Sequence, residues 1–196
     1  MPLTKPYVVK LGGSLLASPA LDALLGTAAA HGAIVVPGGG PFADAVRIAQ
    51  AERGFGEAAA HAMAILAMEQ TAFLLADRAP AFALCATREG FANAAGRPTI
   101  WCPAAMALDA DLPRSWDVTS DSLALWLATA LGAPGLVLVK SARVSGGDPT
   151  LWAAAGLVDR TFPSLAAHYR GEIVCVGEAD ISKLDAALSS STKAAA

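Results

Sequence analysis

The sequence predicts an α/β fold: a three-layer α/β/α sandwich around a mostly parallel central sheet. Two observations predict it. Short β-branched or apolar runs alternate with segments of helical periodicity along the whole chain, and glycine-rich breaks fall where the strand-like runs end. Strands joined through helices run parallel with helices on both faces of the sheet. Ligands in such folds sit beyond the carboxyl ends of the strands.

The elements follow in order. Lys5 to Leu11 reads as a buried strand through Tyr7, Val8 and Val9, and it stops at Gly12-Gly13-Ser14. From Pro19 to His31 the residues Leu21, Leu24, Leu25 and Ala28 recur at helical spacing, and Gly32 supplies the stop. Ala33 to Val36 is the next strand; Pro37-Gly38-Gly39-Gly40-Pro41 breaks it, and Phe42 to Glu52 resumes helical periodicity. This repeats the layout of residues 7–25. Glu57 to Asp77 is a longer helix carrying His61, Met63, Met68 and Gln70, after which Ala81 to Ala86 and Thr99 to Cys102 return to strand composition.

Asp109 to Trp116 is a polar loop, and Ser120 to Leu131 is a helix with Leu123, Leu127 and Leu131 on one face. Leu136 to Val139 is a strongly apolar strand ending at Lys140. A loop at Ser145-Gly146-Gly147-Asp148-Pro149, a short helix over Phe162 to Tyr169, a last strand over Ile173 to Val176 and a last helix over Ser182 to Leu188 complete the chain. Residues 1–188 are expected to form a single domain and residues 189–196 a frayed tail.

Composition narrows the function. A chain of 196 residues suits one domain with a real core, and its hydrophobic fraction of 55% is inflated by alanine. No uninterrupted apolar run reaches the ~18 residues of a membrane span, so no membrane partner is expected. Met1 to Pro6 holds one lysine and no apolar signal core, which makes the cytoplasm the expected location. Cys85, Cys102 and Cys175 are odd in number and embedded in apolar surroundings, as packing residues are. A net charge of −3 without any long basic run argues against nucleic acid and for a small-molecule ligand.

Several positions carry chemistry. Lys10-Leu11-Gly12-Gly13-Ser14 puts a cation at a strand end beside two residues whose backbone amides can approach an anion closely. The spacing matches neither the Walker A loop nor Gly-x-Gly-x-x-Gly. Three consecutive glycines at Gly38-Gly39-Gly40 cost more conformational entropy than a plain turn requires, and close approach to a ligand would justify them. Thr119-Ser120-Asp121-Ser122 caps a helix, as Ser, Thr and Asp do at any helix start. Lys140, by contrast, is a lone charge ending an apolar strand and needs a partner. An anion shared between Lys10 and Lys140, with Asp121 positioning both ammonium groups, satisfies every member.

Taken in order, Lys10-Leu11-Gly12-Gly13-Ser14, Val36-Pro37-Gly38-Gly39-Gly40, the Ser120-Asp121-Ser122-Leu123-Ala124 helix start and Val139-Lys140 resemble the signature of the amino-acid-kinase superfamily, which includes acetylglutamate, uridylate, isopentenyl phosphate and carbamate kinases. Residues 61–70, Trp116 to Ser122 and Gly156-Leu157-Val158-Asp159 look most like the short aspartokinase-like members. These include the kinase of methanofuran-type cofactor synthesis, which converts an aminomethyl-furan-methanol phosphate to its diphosphate.

The resemblance implies an ATP-dependent small-molecule kinase working with Mg2+: Lys10, Asp121 and Lys140 are the expected catalytic group, with Asp121 fixing the lysines rather than taking a proton. Gly12, Gly13 and Ser14 are assigned to the ATP phosphates. Gly38, Gly39 and Gly40 would cradle the acceptor's anionic group, with Asp44, His61 and Ser120 nearby. Magnesium would be held mostly by phosphate oxygens and water. The implied acceptor is an aminomethyl-furan phosphate monoester, and the implied assembly a homo-oligomer. One departure stands out: many superfamily members follow the Lys140 strand with Gly-Gly-Met and then a lysine for the ATP phosphates, and this chain has no Gly-Gly-Met. Lys140 would have to supply that charge. The departure leaves open a second reading, a non-catalytic nucleotide- or oxyanion-binding member of the same fold, regulatory or storage in role.

Overall fold

A computed structural model describes residues 5–94, 96–144 and 146–193; Ser145 of the predicted glycine loop, the leader-free reading of residues 1–4 and the last three residues of the predicted tail lie outside these. Six strands form one sheet: β1 (Val8–Leu11), β2 (Ile34–Pro37), β3 (Ala83–Cys85), β4 (Thr99–Trp101), β5 (Gly135–Lys140) and β6 (Glu172–Gly177). Their spatial order is β3-β4-β2-β1-β5-β6 and every pairing is parallel. The sheet is therefore wholly rather than mostly parallel, because every strand-to-strand connection passes over a face of the sheet.

Alternation along the strands builds two cores. Val9, Leu11, Val35, Val137 and Val139 face a layer that includes α1 (Leu21–Ala30) and α9 (Ile181–Lys193). Val8, Ile34, Val36, Leu136 and Leu138 face the opposite layer, where α6 (Ser120–Leu131), α7 (Pro149–Ala154) and α8 (Phe162–Ala166) pack. This is the expected sandwich. Since side chains two apart share a face, Lys10 lies on the side of Val8, and Lys140 on the side of Leu138; both point toward α6.

The chain runs outward from β1 to β2 on one side and from β5 to β6 on the other, so the order reverses between β1 and β5. A crevice at the carboxyl ends of those strands is the place where such sheets take ligands. Gly38 N donates to Leu11 O at 2.8 Å, tying the loop after β2 to the end of β1.

Two long helices frame that edge. α2 (Gly40–Arg53) starts two residues earlier than the periodicity indicated because Pro41 occupies its first turn, where a missing N–H costs nothing. α3 (Glu57–Arg78) is 22 residues long and apolar enough by length and composition to cross a membrane, but 44% of its most apolar stretch is buried inside the fold. Four short elements escape the sequence pattern: a 3-10 turn at Gly13–Ala17, α4 (Arg88–Ala94), α5 (Ala104–Ala107) and α7. α9 continues to Lys193, past the point where apolar spacing ends at Leu188.

Candidate functional site

At the crevice, Lys10 and Lys140 both form ion pairs with one oxygen of Asp121. Lys10 Nζ is 2.8 Å and Lys140 Nζ 2.7 Å from Asp121 Oδ1. Lys10 and Asp121 are each 5% exposed. Burial opposes the Asp121 charge, but the two lysines outweigh it and hold the carboxyl below its usual range. For Lys140, burial and then the Lys10 charge outweigh the attraction of Asp121 and bring the ammonium from 10.5 down to about 8. Two cations on one carboxylate leave a net positive charge in a poorly solvated place, and an anion completes it.

Asp121 is placed by the start of α6. Thr119 caps the helix, its hydroxyl accepting from Asp121 N at 3.4 Å. Asp159 locks the same turn from across the loop. Its carboxylate accepts five hydrogen bonds: from Thr119 N and Oγ1, Ser122 N and Oγ, and Phe162 N. Asp159 thus spends both oxygens within the protein.

The two glycine loops touch. A Cβ on Gly13 would lie 2.2 Å from Gly40 N, and one on Gly38 would lie 2.2 Å from Gly13 N. Real Cβ atoms do not approach backbone so closely, so both positions require glycine. Gly40 also adopts φ +52, which favours glycine on its own account. No side chain caps α2, and with Pro41 lacking an N–H the first-turn amides that could meet an anion are those of Gly40 and Phe42. Thr71 Oγ1 supports the loop by donating to Gly39 O at 3.4 Å.

A cavity of about 600 Å³ opens from this junction. Gly13, Ser14, Gly39 and Gly40 line one end; Leu16, Ile65, Met68 and Leu123 form apolar walls; Asp44, Arg47, His61 and Trp116 add polar and aromatic groups. Ser120 also lines it. The cavity therefore brings Gly13, Ser14, Gly39, Gly40, Asp44, His61 and Ser120 together. Lys10, Asp121 and Lys140 do not line it themselves. Gly12 does not line it either; it lies between the lysine cluster and the lining residue Gly13, and a Cβ on it would be 3.5 Å from Lys10 Nζ. Gly38 packs against Gly13 beneath the loop.

His61 is 6% exposed, and its Nδ1 meets Ser115 O at 3.1 Å. A carbonyl only accepts, so Nδ1 carries the proton and Nε2 of the neutral ring is an acceptor. Burial lowers its pKa, keeping it neutral near pH ~7. Ser14 Oγ and Ser141 Oγ are 3.0 Å apart, which joins the first glycine loop to the end of β5. Sequence reasoning did not single out Arg47, and it gave Ser141 and Asp159 only as the bounds of a stretch expected near the adenine, with Asp159 also in the Gly156-to-Asp159 resemblance and no role for either. Their partners are distant in the chain, and only the run of Asp and hydroxyl residues at 117–122 hinted that this turn is anchored.

Among the described residues no group of three or more His, Cys, Asp or Glu side chains converges as a metal site would. Cys85 and Cys102 are buried, Cys175 half-buried, and all three are free; burial raises the thiols, those of Cys102 and Cys175 to about 11.

Residues 5–160 match the model of the amino acid kinase family. No curated protein matches the chain in sequence. Among solved structures, uridylate kinase from Archaeoglobus fulgidus superposes with a TM-score of 0.70 at 17% identity, over 93% of this chain and 95% of that one. UMP kinase from Ureaplasma parvum gives a TM-score of 0.63 at 14% identity, over 89% and 90%. At these identities the likeness establishes the shared fold.

Proposed function

We propose that the chain, which belongs to the amino acid kinase family, transfers the γ-phosphoryl group of ATP to a small phosphate monoester held in the cavity beside the glycine loops. The observation that carries this reading is the shared carboxylate: two lysine ammoniums, 2.8 and 2.7 Å from one Asp121 oxygen, adjoining two glycine loops in backbone contact. Phosphoryl transfer asks little covalent chemistry of the protein. It needs reactants in line and charge neutralised on the moving group.

In this reading an acceptor phosphate oxygen forms the new bond to the γ-phosphorus, the bond from that phosphorus to the β,γ-bridging oxygen breaks, and ADP leaves with the electron pair. Lys10 and Lys140 neutralise the three equatorial oxygens, and Lys140 stands in for the lysine that follows Gly-Gly-Met elsewhere in the superfamily. Gly12, Gly13 and Ser14 hold the ATP phosphates by backbone amides and hydroxyl. Gly39, Gly40 and the free first turn of α2 receive the acceptor's phosphate. Asp121 is no base, since its two ammonium partners hold its carboxyl below the usual range and make it a poor proton acceptor. None is required when the acceptor oxygen is already anionic. Magnesium, where it accompanies ATP, would supply further neutralisation of phosphate charge and would be held mostly by phosphate oxygens and water.

The acceptor we favour is the aminomethyl-furan phosphate, which becomes a diphosphate. Support comes from the cavity: apolar walls suit a ring, while Asp44 and the unprotonated His61 Nε2 suit an amine. We also propose a homo-oligomer joined through α3, whose exposed side carries Met63, Leu66, Phe73 and Leu74 while its other side lines the cavity.

The test is incubation with Mg-ATP and a panel of alcohols, carboxylates and phosphate monoesters, with products identified by phosphorus NMR. A new diphosphate from the furan phosphate supports the reading. Turnover of only a carboxylate or alcohol overturns the acceptor, and nucleotide binding without any turnover restores the non-catalytic alternative.

A further inference from the structure

We propose that Trp116 closes the far end of the acceptor cavity and sets the longest acceptor that the site admits. This rests on the reading that the acceptor's phosphate sits at the glycine loops. Two features of the geometry carry it.

The first is position. α2 begins at Gly40, inside the glycine loop, and an α-helix rises about 1.5 Å per residue. The α2 residues that touch the indole are Arg47 and Gln50. They lie roughly 10 and 15 Å along the helix from Gly40. The indole therefore lines the cavity about two to three helical turns along α2 from the glycine loop where that helix begins.

The second is fixation. Trp116 Nε1 donates to Gln50 Oε1 at 2.7 Å, and Trp116 N donates to Glu57 Oε2 at 3.2 Å. The Arg47 guanidinium lies 3.6 Å from the ring centroid. Ser115 O, one residue earlier, accepts from His61 Nδ1. Gln50 is itself oriented, donating to Glu57 Oε1 at 3.2 Å and to Phe55 O at 3.3 Å. Swinging the ring aside breaks a hydrogen bond and a cation–aromatic contact together. Yet Trp116 belongs to neither apolar core and sits in a partly exposed loop. So much restraint on a residue that the core does not use fits a wall built for a ligand.

The experiment measures dissociation constants for methyl phosphate, benzyl phosphate and uridine monophosphate by calorimetry, with magnesium and a non-hydrolysable ATP analogue present. Wild type, Trp116→Ala and Trp116→Phe are compared. Removing the ring should shift the ratio of uridine monophosphate to benzyl phosphate affinity toward the longer ester by about tenfold or more. Trp116→Phe, which keeps a ring in place, should retain most of the wild-type preference. Benzyl phosphate should quench tryptophan fluorescence in wild type and not in Trp116→Phe, because Trp101, Trp126 and Trp152 are not among the residues lining the cavity. An unchanged ratio in Trp116→Ala, or an equal loss for all three esters, overturns the proposal, with thermal unfolding confirming that the variant is folded. ADP release from ATP is followed separately: a shifted ratio without turnover sinks the kinase reading and leaves the wall, and turnover with an unshifted ratio does the reverse.

Discussion

Replacing Lys140 by arginine is expected to remove a pH dependence that the wild-type site builds in. Lys140 ends β5 with its side chain 11% exposed, and it shares Asp121 Oδ1 with Lys10. The two ammoniums share one carboxylate oxygen and repel each other. Together with burial, which is the larger cause, this brings Lys140 down to about 8. Its proposed work needs the ammonium, so the sign follows: activity is full well below that value and is lost as pH rises through it. A single deprotonation removes about nine-tenths of the active form one unit above its pKa, so kcat/KM, which reports the free enzyme, should fall about tenfold per unit beyond pH ~8.

Arginine stays charged throughout this range. Lys140→Arg should therefore start from a lower plateau, since its planar fork fits the pocket differently, and then remain flat to about pH 9.5. At saturating ATP the wild-type fall should move upward, because a bound phosphate favours the charged lysine. Phosphate monoesters finish ionising near pH ~6, outside the window, so they do not mimic the effect. The assay is the initial rate of ADP release against pH at low substrate. A wild-type profile flat to about pH 9.5, or an identical fall in Lys140→Arg, would refute the reasoning.

Asp159→Ala removes five accepted hydrogen bonds and leaves the amides of Thr119, Ser122 and Phe162 without their partner. It should destabilise the fold by about 3 kcal/mol or more in chemical unfolding, and slow transfer in the fraction that remains folded, since Asp121 rides on the same turn. Gly13→Ala places a Cβ 2.2 Å from the Gly40 amide nitrogen and should lower the thermal midpoint and abolish binding of an ATP analogue. Gly26→Ala, with nothing within 4 Å in the middle of α1, should instead stabilise by about 0.5–1 kcal/mol. Phe73→Asp, at a position 57% exposed, should turn an oligomer into a monomer by light scattering without unfolding it; a wild-type monomer at assay concentration would dispose of the α3 interface.

How much of this was legible in the sequence depended on distance along the chain. α6 matches its predicted span because both ends are written locally: Thr119 caps the start, and Gly132, at φ +60, ends it. α7 had its signal in Asp148-Pro149, where the Asp148 carboxylate accepts from Thr150 N and Leu151 N. With only six residues it offers too little periodicity to read. The lysine cluster was legible because strand ends of a parallel sheet converge on one edge. The role of Asp159, which the sequence offered only within the Gly156-to-Asp159 resemblance, was not, because its partners Thr119 and Ser122 lie 40 and 37 residues away and only the Phe162 amide is local.

The start of α6 explains why both halves of the site stand or fall together. Within four residues, Thr119 receives the Asp159 clamp, Ser120 lines the cavity proposed for the acceptor, Asp121 gathers the lysines and Ser122 takes a second clamp contact. Three residues upstream, Trp116 is pinned to α2 and α3. A displacement of this turn would therefore move the acceptor wall and the charge that neutralises the transferred group at once. That coupling gives a physical reason for anchoring a short loop through so many hydrogen bonds: in-line transfer tolerates little misplacement, and a shift of about 1 Å can cost on the order of a hundredfold in rate. Rigidity at 116–122 is thus as much a part of the proposed chemistry as the lysines, although only Asp121 of that stretch touches them.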